Sequence, residues 1–262
     1  MVRFAIILLA VSVEALSFSV ASGQATQSEA DVLPQLLRHA QPLAPPGSGP
    51  FPVVALVPGC SGFEDGRFVE QYRAYSERLV AAGFAVVRVD YLKARSVVEA
   101  CADRAAGTWE PRIAGDIGQL IERLPDILRA DRSRVFVIGW SMGGGGVLTT
   151  LSKLSQANPF PFRGVVALYP SCRAVPAWSS RVPTLIMLAG LDNIQPASAC
   201  EQLVRSIGSP PSVRMRRFER AHHGFDIMKE PVLREPRAAP TLGANPEAAA
   251  AAWRDIFKFL GA

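Results

Sequence analysis

The stretch that most constrains the fold lies at residues 134–148, where an apolar run leads directly into a glycine-rich segment. Residues 135–138 (Val, Phe, Val, Ile) are typical of a buried β-strand. They run into Gly139-Trp140-Ser141-Met142-Gly143, a Gly-x-Ser-x-Gly pattern. A strand that turns straight into a helix strains the backbone at the corner, and flanking glycines let the two elements close tightly. The pattern therefore predicts a strand–turn–helix unit that lifts Ser141 above a sheet edge.

Ser141 at this corner is a candidate nucleophile, because the same pattern forms the nucleophile elbow of serine hydrolases. The amide of Met142 would point into the same space from the helix N-terminus. The alternative is a glycine-rich turn that only packs a strand on a helix. A base and an acid at suitable positions elsewhere in the chain would favour the nucleophile over the packing turn.

The histidines provide the sharpest internal test, since the chain has only three, His39, His222 and His223. A serine hydroxyl needs a neighbouring base to become a nucleophile. Because His39 lies upstream of the predicted domain, that base has to be His222 or His223, which follow a predicted strand at residues 212–218. The other histidine of the pair is interpreted as a packing or lid residue.

Asp192 is the candidate acid, because it follows the apolar run at residues 182–188. A turn aspartate with no catalytic role is the alternative, as aspartate is common in turns. Asp90 also follows a predicted strand but precedes Ser141, so we rank it below Asp192. The order Ser141, Asp192, His223 is the Ser…Asp…His order of α/β-hydrolases.

A second glycine-rich loop follows the predicted strand at residues 52–57, with the sequence Pro58-Gly59-Cys60-Ser61-Gly62. A tetrahedral intermediate carries negative charge on an oxygen, and two preorganised N–H donors stabilise it. The position of this loop upstream of the elbow favours the backbone amides of Cys60 and Met142 as the oxyanion hole.

With these motifs the chain resembles the dienelactone hydrolase family over roughly residues 51–262. The matching segments are Val57-Pro-Gly-Cys-Ser-Gly62, Gly139-Trp-Ser-Met-Gly143, Asp192-Asn-Ile-Gln-Pro196 and Ala221-His-His-Gly-Phe225. The resemblance implies an α/β-hydrolase fold, with a mostly parallel central sheet, helices on both faces and no large cap domain.

The resemblance also implies roles for individual residues of the site. It places the nucleophile on Ser141, the acid on Asp192 and the oxyanion amides on Cys60 and Met142. The family's histidine precedes a small residue and Phe, which selects His223. Dienelactone hydrolases proper use a cysteine nucleophile, and they carry an arginine four residues after the histidine, where this chain has Ile227. The resemblance thus implies the fold and the triad but not dienelactone as the substrate.

The function predicted from these features is hydrolysis of a small ester or lactone through an acyl-enzyme, in an open, shallow pocket. An acyltransferase or a peptidase on the same triad is one alternative, and a non-catalytic exported binding module is the other. We expect no cofactor and no metal, because two domain histidines and widely spaced cysteines give no metal-ligand pattern.

Composition and charge exclude several other classes of protein. A chain of 262 residues with 49% hydrophobic residues suits one α/β domain and excludes a disordered protein. The net charge of +5 is diffuse, with no basic cluster denser than Arg214-Met-Arg-Arg217, so we expect no nucleic-acid partner. The oligomeric state stays open.

The N-terminus resembles a targeting segment, with a basic start and an apolar core at residues 4–13 followed by small residues. We expect a signal peptide at residues 1–25, a mature N-terminus that begins between Ser22 and Thr26, and export to the periplasm or medium without stable membrane anchoring. An uncleaved anchor over residues 4–21 is the alternative, although it would bury Glu14. Residues 26–50 are rich in Pro and Gly and are predicted to be a leader, with the domain at 51–262.

The four cysteines, Cys60, Cys101, Cys172 and Cys200, are an even number in a protein expected to be exported. An oxidising compartment favours two disulfides, for which three connectivities exist, and four buried thiols are the alternative. We favour Cys60–Cys101 and Cys172–Cys200, because each pair then joins neighbouring loops.

Overall fold

A computed structural model describes residues 32–102, 107–154, 162–228 and 242–262. Its centre is a six-stranded sheet in which every neighbouring pair is parallel. The strands are β1 (Phe51–Val57), β2 (Ala85–Arg88), β3 (Ala130–Trp140), β4 (Phe162–Leu168), β5 (Thr184–Ala189) and β6 (Val213–Phe218). They lie in the order β2-β1-β3-β4-β5-β6. All six carboxyl ends therefore meet at one edge, where ligands bind in open α/β sheets.

Helices cover both faces of the sheet. They are α1 (Val32–His39), α2 (Val69–Ala81), α3 (Trp109–Glu122), α4 (Leu124–Ile127), α5 (Ser141–Lys153), α6 (Ala197–Ser206) and α7 (Pro246–Leu260). Residues of α1, α3, α5 and α6 share one hydrophobic core, and residues of α2 and α7 share the other. Residues 169–183 between β4 and β5 contain only a short turn of helix, Cys172–Ala174, so no cap domain is inserted there. The α/β-hydrolase architecture expected from the sequence is confirmed.

The strand residues explain the two-sided burial. In β1, Val53, Ala55 and Val57 face one core while Val54 and Leu56 face the other, and all five are fully buried. Successive strand side chains point to opposite faces, so a strand covered on both sides is a continuous apolar run instead of an alternating one. This is why the short apolar runs of the sequence mark the central strands.

The segment predicted to be a Pro/Gly-rich leader begins, in its described part, with a helix that packs on the domain. Residues 32–39 form α1, and Val32, Leu36 and Ala40 are buried in the core. Leu43 then pairs in antiparallel fashion with Val86 of β2. The spacing of Val32, Leu36 and Ala40 puts them on one helix face, and burying that face outweighs the turn-forming composition that follows. Residues 32–40 therefore pack as part of the domain and not as a linker, whereas residues 44–50 are mostly exposed and lie outside any helix or strand.

The cysteines form two disulfides, Cys60–Cys101 and Cys172–Cys200, with sequence separations of 41 and 28 residues. This is the pairing favoured from the sequence. The predicted signal peptide at residues 1–25 lies outside the described residues. Within the described ranges, no helix is long and apolar enough to cross a membrane.

Candidate active site

Ser141 lies at the corner between β3 and α5, with a left-handed φ of 51°. Left-handed φ is costly for a residue with a side chain, and such strain occurs mainly where the surrounding structure enforces it. The close approach of Gly143 to the neighbouring loop is part of that enforcement. A Cβ on Gly143 would lie 2.1 Å from the carbonyl oxygen of Pro58, so only glycine fits there. The predicted strand–turn–helix unit is confirmed.

The three residues predicted as nucleophile, acid and base lie together at the carboxyl edge of the sheet. His223 Nε2 is 3.0 Å from Ser141 Oγ, and His223 Nδ1 is 2.7 Å from Asp192 Oδ2. Asp192 and His223 are 7% and 4% exposed, so bulk water competes little for these hydrogen bonds. The three side chains form one continuous hydrogen-bonded chain that begins at the serine.

Asp192 is itself fixed by its own loop. Its Oδ1 accepts hydrogen bonds from the backbone amides of Ile194 and Gln195, at 2.9 and 2.8 Å. Its Oδ2 is thereby directed at His223. Because an ionised carboxylate only accepts, Nδ1 of the imidazole carries the hydrogen and Nε2 is left as the acceptor for the Ser141 hydroxyl. The arrangement is that of a general base beside a potential nucleophile.

The loop after β1 is anchored at the Gly59–Cys60 peptide. The Gly59 amide donates to the Tyr72 hydroxyl at 3.0 Å, and the Tyr91 hydroxyl donates to the Gly59 carbonyl at 2.9 Å. Burial raises the pKa of both tyrosines, which keeps their hydroxyls protonated. Since a carbonyl and the following N–H share one rigid peptide plane, Tyr91 also fixes the direction of the Cys60 amide. The Cys60–Cys101 disulfide holds the same residue through its side chain.

Met142 contributes the other predicted oxyanion donor. It is the second residue of α5, where backbone N–H groups have no partner within the helix. The carbonyl of Ser141 accepts a hydrogen bond from the Ser171 amide at 3.1 Å, which ties the corner to the loop after β4. The amide of Met142 thus lies at the N-terminus of α5 and that of Cys60 in the loop after β1, and both residues line the cavity with Ser141.

A cavity of about 570 Å³ opens beside Ser141, within the usual size range of small-molecule sites. Cys60, Met142 and His223 line it together with Ser141. Much of the remaining wall is aromatic or aliphatic, namely Phe68, Tyr72, Trp109, Trp140, Tyr169, Ile194 and Leu242. Glu110 lies in the wall with its carboxylate accepting from Ser171 Oγ at 2.7 Å, and the exposed Arg173 lines the cavity as well.

His222 and Asp90, which the sequence ranked below His223 and Asp192, make other contacts. His222 packs its ring against the backbone at Gly243, and its Nδ1 has no partner among the described residues. Asp90 accepts from the Lys93 amide at 3.1 Å, beside the short helical turn Lys93–Arg95. Neither joins the Ser141–His223 pair. In the described part of the chain, no three His, Cys, Asp or Glu side chains cluster closely enough to hold a metal ion.

Sequence reasoning missed several polar residues that shape the site. The spacing of Tyr72 and Tyr75 indicates only an apolar helix face, on which both do lie, but their hydroxyls also make specific hydrogen bonds. Tyr91 and Asp226 carried no signal of their own, although each adjoins a residue that was singled out. Two tyrosines among the apolar positions of one helix were the one available indication of a buried polar network.

The fold and the site together define an α/β-hydrolase, with a serine on the strand-to-helix corner and an Asp–His pair on later loops. A family model described as the dienelactone hydrolase family matches residues 39–262. The chain belongs to the dienelactone hydrolase family.

Solved structures share this fold at low sequence identity. A dienelactone hydrolase from Anabaena variabilis has a TM-score of 0.58 and 20% identity, over 84% of this chain and 89% of that one. A dienelactone hydrolase-like promiscuous phosphotriesterase from metagenomic libraries has a TM-score of 0.61 and 18% identity, over 82% and 87% of the two chains. At such identities the similarity extends to the fold alone.

Among curated proteins the chain is similar to two cutinases. Cutinase 1 of Thermobifida cellulosilytica is 30% identical over 151 residues, which are 56% of this chain and 50% of the cutinase. A cutinase of Thermobifida fusca is 30% identical over the same length, which covers 44% of it. The match spans half or less of each curated relative.

Proposed function

We propose that the protein is a serine hydrolase that cleaves small carboxylic esters or lactones. One observation carries the proposal, namely that His223 lies within hydrogen-bond distance of both Ser141 Oγ and Asp192 Oδ2. A residue that only packs has no need of this geometry, which matches a nucleophile, a base and the group that orients the base. Membership of the dienelactone hydrolase family and similarity to cutinases support the same class of reaction.

The proposed reaction has two halves. His223 Nε2 takes the proton of Ser141 Oγ while that oxygen attacks the ester carbonyl carbon, and the oxyanion is stabilised by the amides of Cys60 and Met142. The tetrahedral intermediate collapses, His223 returns the proton to the departing alkoxide oxygen, and an acyl-Ser141 ester remains. Water then attacks this ester with His223 as base again, releasing the carboxylic acid and restoring the serine.

The cavity favours a compact acyl group. Its volume of about 570 Å³ and its aromatic and aliphatic wall suit short-chain or ring-containing acyl groups instead of long lipid chains. Ile227, at the position where dienelactone hydrolases carry an arginine, is buried and 6% exposed. A carboxylate-bearing substrate would therefore find no cation at that position, which supports ordinary esters over dienelactone.

The proposal is tested by steady-state hydrolysis of p-nitrophenyl acetate and butyrate, together with covalent labelling by diethyl p-nitrophenyl phosphate. We expect turnover of both esters and a single phosphoryl adduct on Ser141, located by peptide mass spectrometry. His223→Gln keeps the nucleophile but removes the base, so the labelling rate should fall by about 10²-fold or more. Excess p-nitrophenyl butyrate should protect the wild-type serine from labelling.

Other results of the same experiments would contradict the proposal or change the predicted reaction. Absence of turnover with both esters, or an adduct on a residue other than Ser141, would contradict the proposal and favour a binding module. Partition of the acyl group to an added alcohol in preference to water would instead indicate an acyltransferase on the same residues.

We also infer that the protein is exported. The two disulfides are typical of oxidising compartments, and the basic and apolar N-terminal residues suit a signal peptide. Intact-mass analysis of the protein recovered outside the cytoplasm should give an N-terminus between Ser22 and Thr26. Recovery of the chain with Met1 retained would contradict cleavage.

A further inference from the structure

A buried carboxylate, that of Asp226, lies behind the Ser141–His223 pair and takes no part in the reaction proposed above. Asp226 is 2% exposed. Its Oδ1 accepts from the Tyr169 hydroxyl at 2.7 Å, and its Oδ2 accepts from the Tyr75 hydroxyl and the Trp140 indole N–H, both at 3.0 Å. Among the described residues, no Lys or Arg forms an ion pair with it. Three neutral donors therefore satisfy this buried group.

Desolvation raises the pKa of Asp226, while the three hydrogen bonds act in the opposite direction. A buried carboxyl group of this kind is costly unless its partners are held in place. The donors here are indeed constrained, since the Tyr75 ring stacks on Trp253 with centroids 3.7 Å apart and packs edge-on against Trp140 at 4.7 Å. The result is a rigid polar cluster inside an aromatic core.

The segments joined by Asp226 are those that carry the reacting groups. Trp140 is the last residue of β3 and is bonded directly to Ser141, and Asp226 lies three residues after His223. Tyr169, the residue after β4, places its ring against the His223 imidazole, with centroids 4.6 Å apart. One carboxylate thus connects the serine segment, the histidine loop and a ring that contacts the histidine.

The sheet alone does not fix the distance between Ser141 and His223. They follow β3 and β6, which are separated by β4 and β5 in the sheet. At about 4.8 Å per strand, the two strand ends lie roughly 14 Å apart. His223 therefore reaches Ser141 from a loop, five residues beyond the end of β6 at Phe218. Contacts that hold that loop decide whether Nε2 lies within hydrogen-bond distance of Oγ.

We propose that Asp226 is a positioning residue, which acts through Trp140 and Tyr169 to hold His223 at hydrogen-bond distance from Ser141. This inference rests on the proposed hydrolase function. Asp192 orients the imidazole from the Nδ1 side, whereas Asp226 fixes the loop that carries it. A misplacement of about 1 Å between reacting groups can lower a rate by about 10²-fold. The predicted effect is therefore on kcat and not on substrate binding.

Asp226→Ala is expected to lower kcat for p-nitrophenyl butyrate by about 30- to 100-fold while KM changes by less than about 2-fold. Asp226→Asn should keep kcat within about 3-fold of wild type. Its amide oxygen can still accept from Tyr75 and Trp140, and its NH₂ can donate to the Tyr169 hydroxyl oxygen, whose own hydrogen can turn to Gln71 Oε1 after a flip of that amide. Rescue by this neutral isostere would show that the geometry of the cluster matters and not the charge.

A matched pair of variants separates positioning from general stability. Tyr75→Phe and Tyr169→Phe each remove one hydroxyl donor from Asp226, but Tyr75 lies on α2 and only Tyr169 contacts His223. We expect kcat within about 2-fold of wild type for Tyr75→Phe and a decrease of about 5- to 10-fold for Tyr169→Phe. The downfield ¹H NMR signal of the His223 Nδ1–H should broaden in Asp226→Ala and Tyr169→Phe, but not in Tyr75→Phe.

The outcomes distinguish this inference from the function on which it rests. Wild-type turnover that depends on Ser141, combined with a folded Asp226→Ala variant of unchanged kcat, would overturn the positioning role alone. Equal losses of kcat in the two tyrosine variants would also overturn it, since they would indicate a purely structural cluster. If Asp226→Ala fails to fold, the kcat values of Tyr75→Phe, Tyr169→Phe and Asp226→Asn test the positioning role in its place. Absence of wild-type turnover would instead contradict the proposed function, and the NMR comparison would still test the geometry.

Discussion

Ser141→Ala is expected to abolish ester hydrolysis, with kcat for p-nitrophenyl acetate falling by about 10⁶-fold. The serine oxygen is the atom proposed to form the acyl-enzyme, so its removal leaves His223 and Asp192 without a nucleophile to activate. Ser171 lines the same cavity but cannot replace it, because its hydroxyl already donates to Glu110 at 2.7 Å. Rates are measured by p-nitrophenolate release, with the buffer rate subtracted.

Ser152→Ala is the matched control for this variant. Ser152 lies near the other end of the same helix, α5, where its hydroxyl donates to the Thr149 carbonyl at 2.8 Å. The Ser152→Ala variant should keep kcat within about 2-fold of wild type, since Ser152 does not line the cavity. A Ser141→Ala variant that keeps more than a few per cent of wild-type turnover would mean that the Ser141–His223–Asp192 chain is not the source of the activity.

Gly143→Ala is expected to destabilise the fold by about 3 kcal/mol or more and to lower kcat by about 10²-fold in any folded fraction. A Cβ at this position would lie 2.1 Å from the Pro58 carbonyl oxygen and 2.6 Å from that of Val57. Both atoms belong to backbone, so no side-chain rotation relieves the overlap. The displaced Pro58 leads into Gly59 and Cys60, and the same substitution therefore moves a proposed oxyanion donor.

Gly115→Ala provides the comparison, because it makes the same chemical change in α3 without steric conflict. Its nearest neighbour would be Lys153 Nζ at 3.9 Å, an ordinary contact. Alanine is favoured over glycine inside helices by up to about 1 kcal/mol, so this variant should be slightly more stable than wild type and equally active. Urea unfolding followed by circular dichroism, together with kcat, measures both. A Gly143→Ala variant as stable as wild type would show that the Pro58 loop yields easily.

The sequence alone was sufficient to predict the central strands and the strand-to-helix corner at Ser141. These features depend on short-range patterns: an apolar run forms a strand buried on both faces, and glycines around Ser141 permit a tight corner. The disulfide pairing favoured from the sequence is also confirmed, although Cys200 lies in α6 and not in a loop as the sequence suggested.

Local composition did not predict that α1, at the start of the described part of the leader, packs on the domain. Residues 42–50 contain the prolines and glycines that indicate a linker, but α1 precedes them and buries Val32 and Leu36. Whether an amphipathic helix packs depends on an apolar surface elsewhere in the molecule that accepts it. Here that surface is formed in part by α3 and by the helical turn Lys93–Arg95, which the local sequence around α1 does not specify.

The sequence determined which residue types were available for chemistry, since two domain histidines follow one serine corner and one acid-bearing loop. The tertiary structure decided how they meet, because β3 and β6 are not adjacent and a loop has to bring His223 to Ser141. It also decided the role of Asp226, whose three donors come from α2, β3 and the loop after β4. Periodicity and motifs report on neighbours along the chain, whereas a buried carboxylate is defined by partners 57 to 151 residues away.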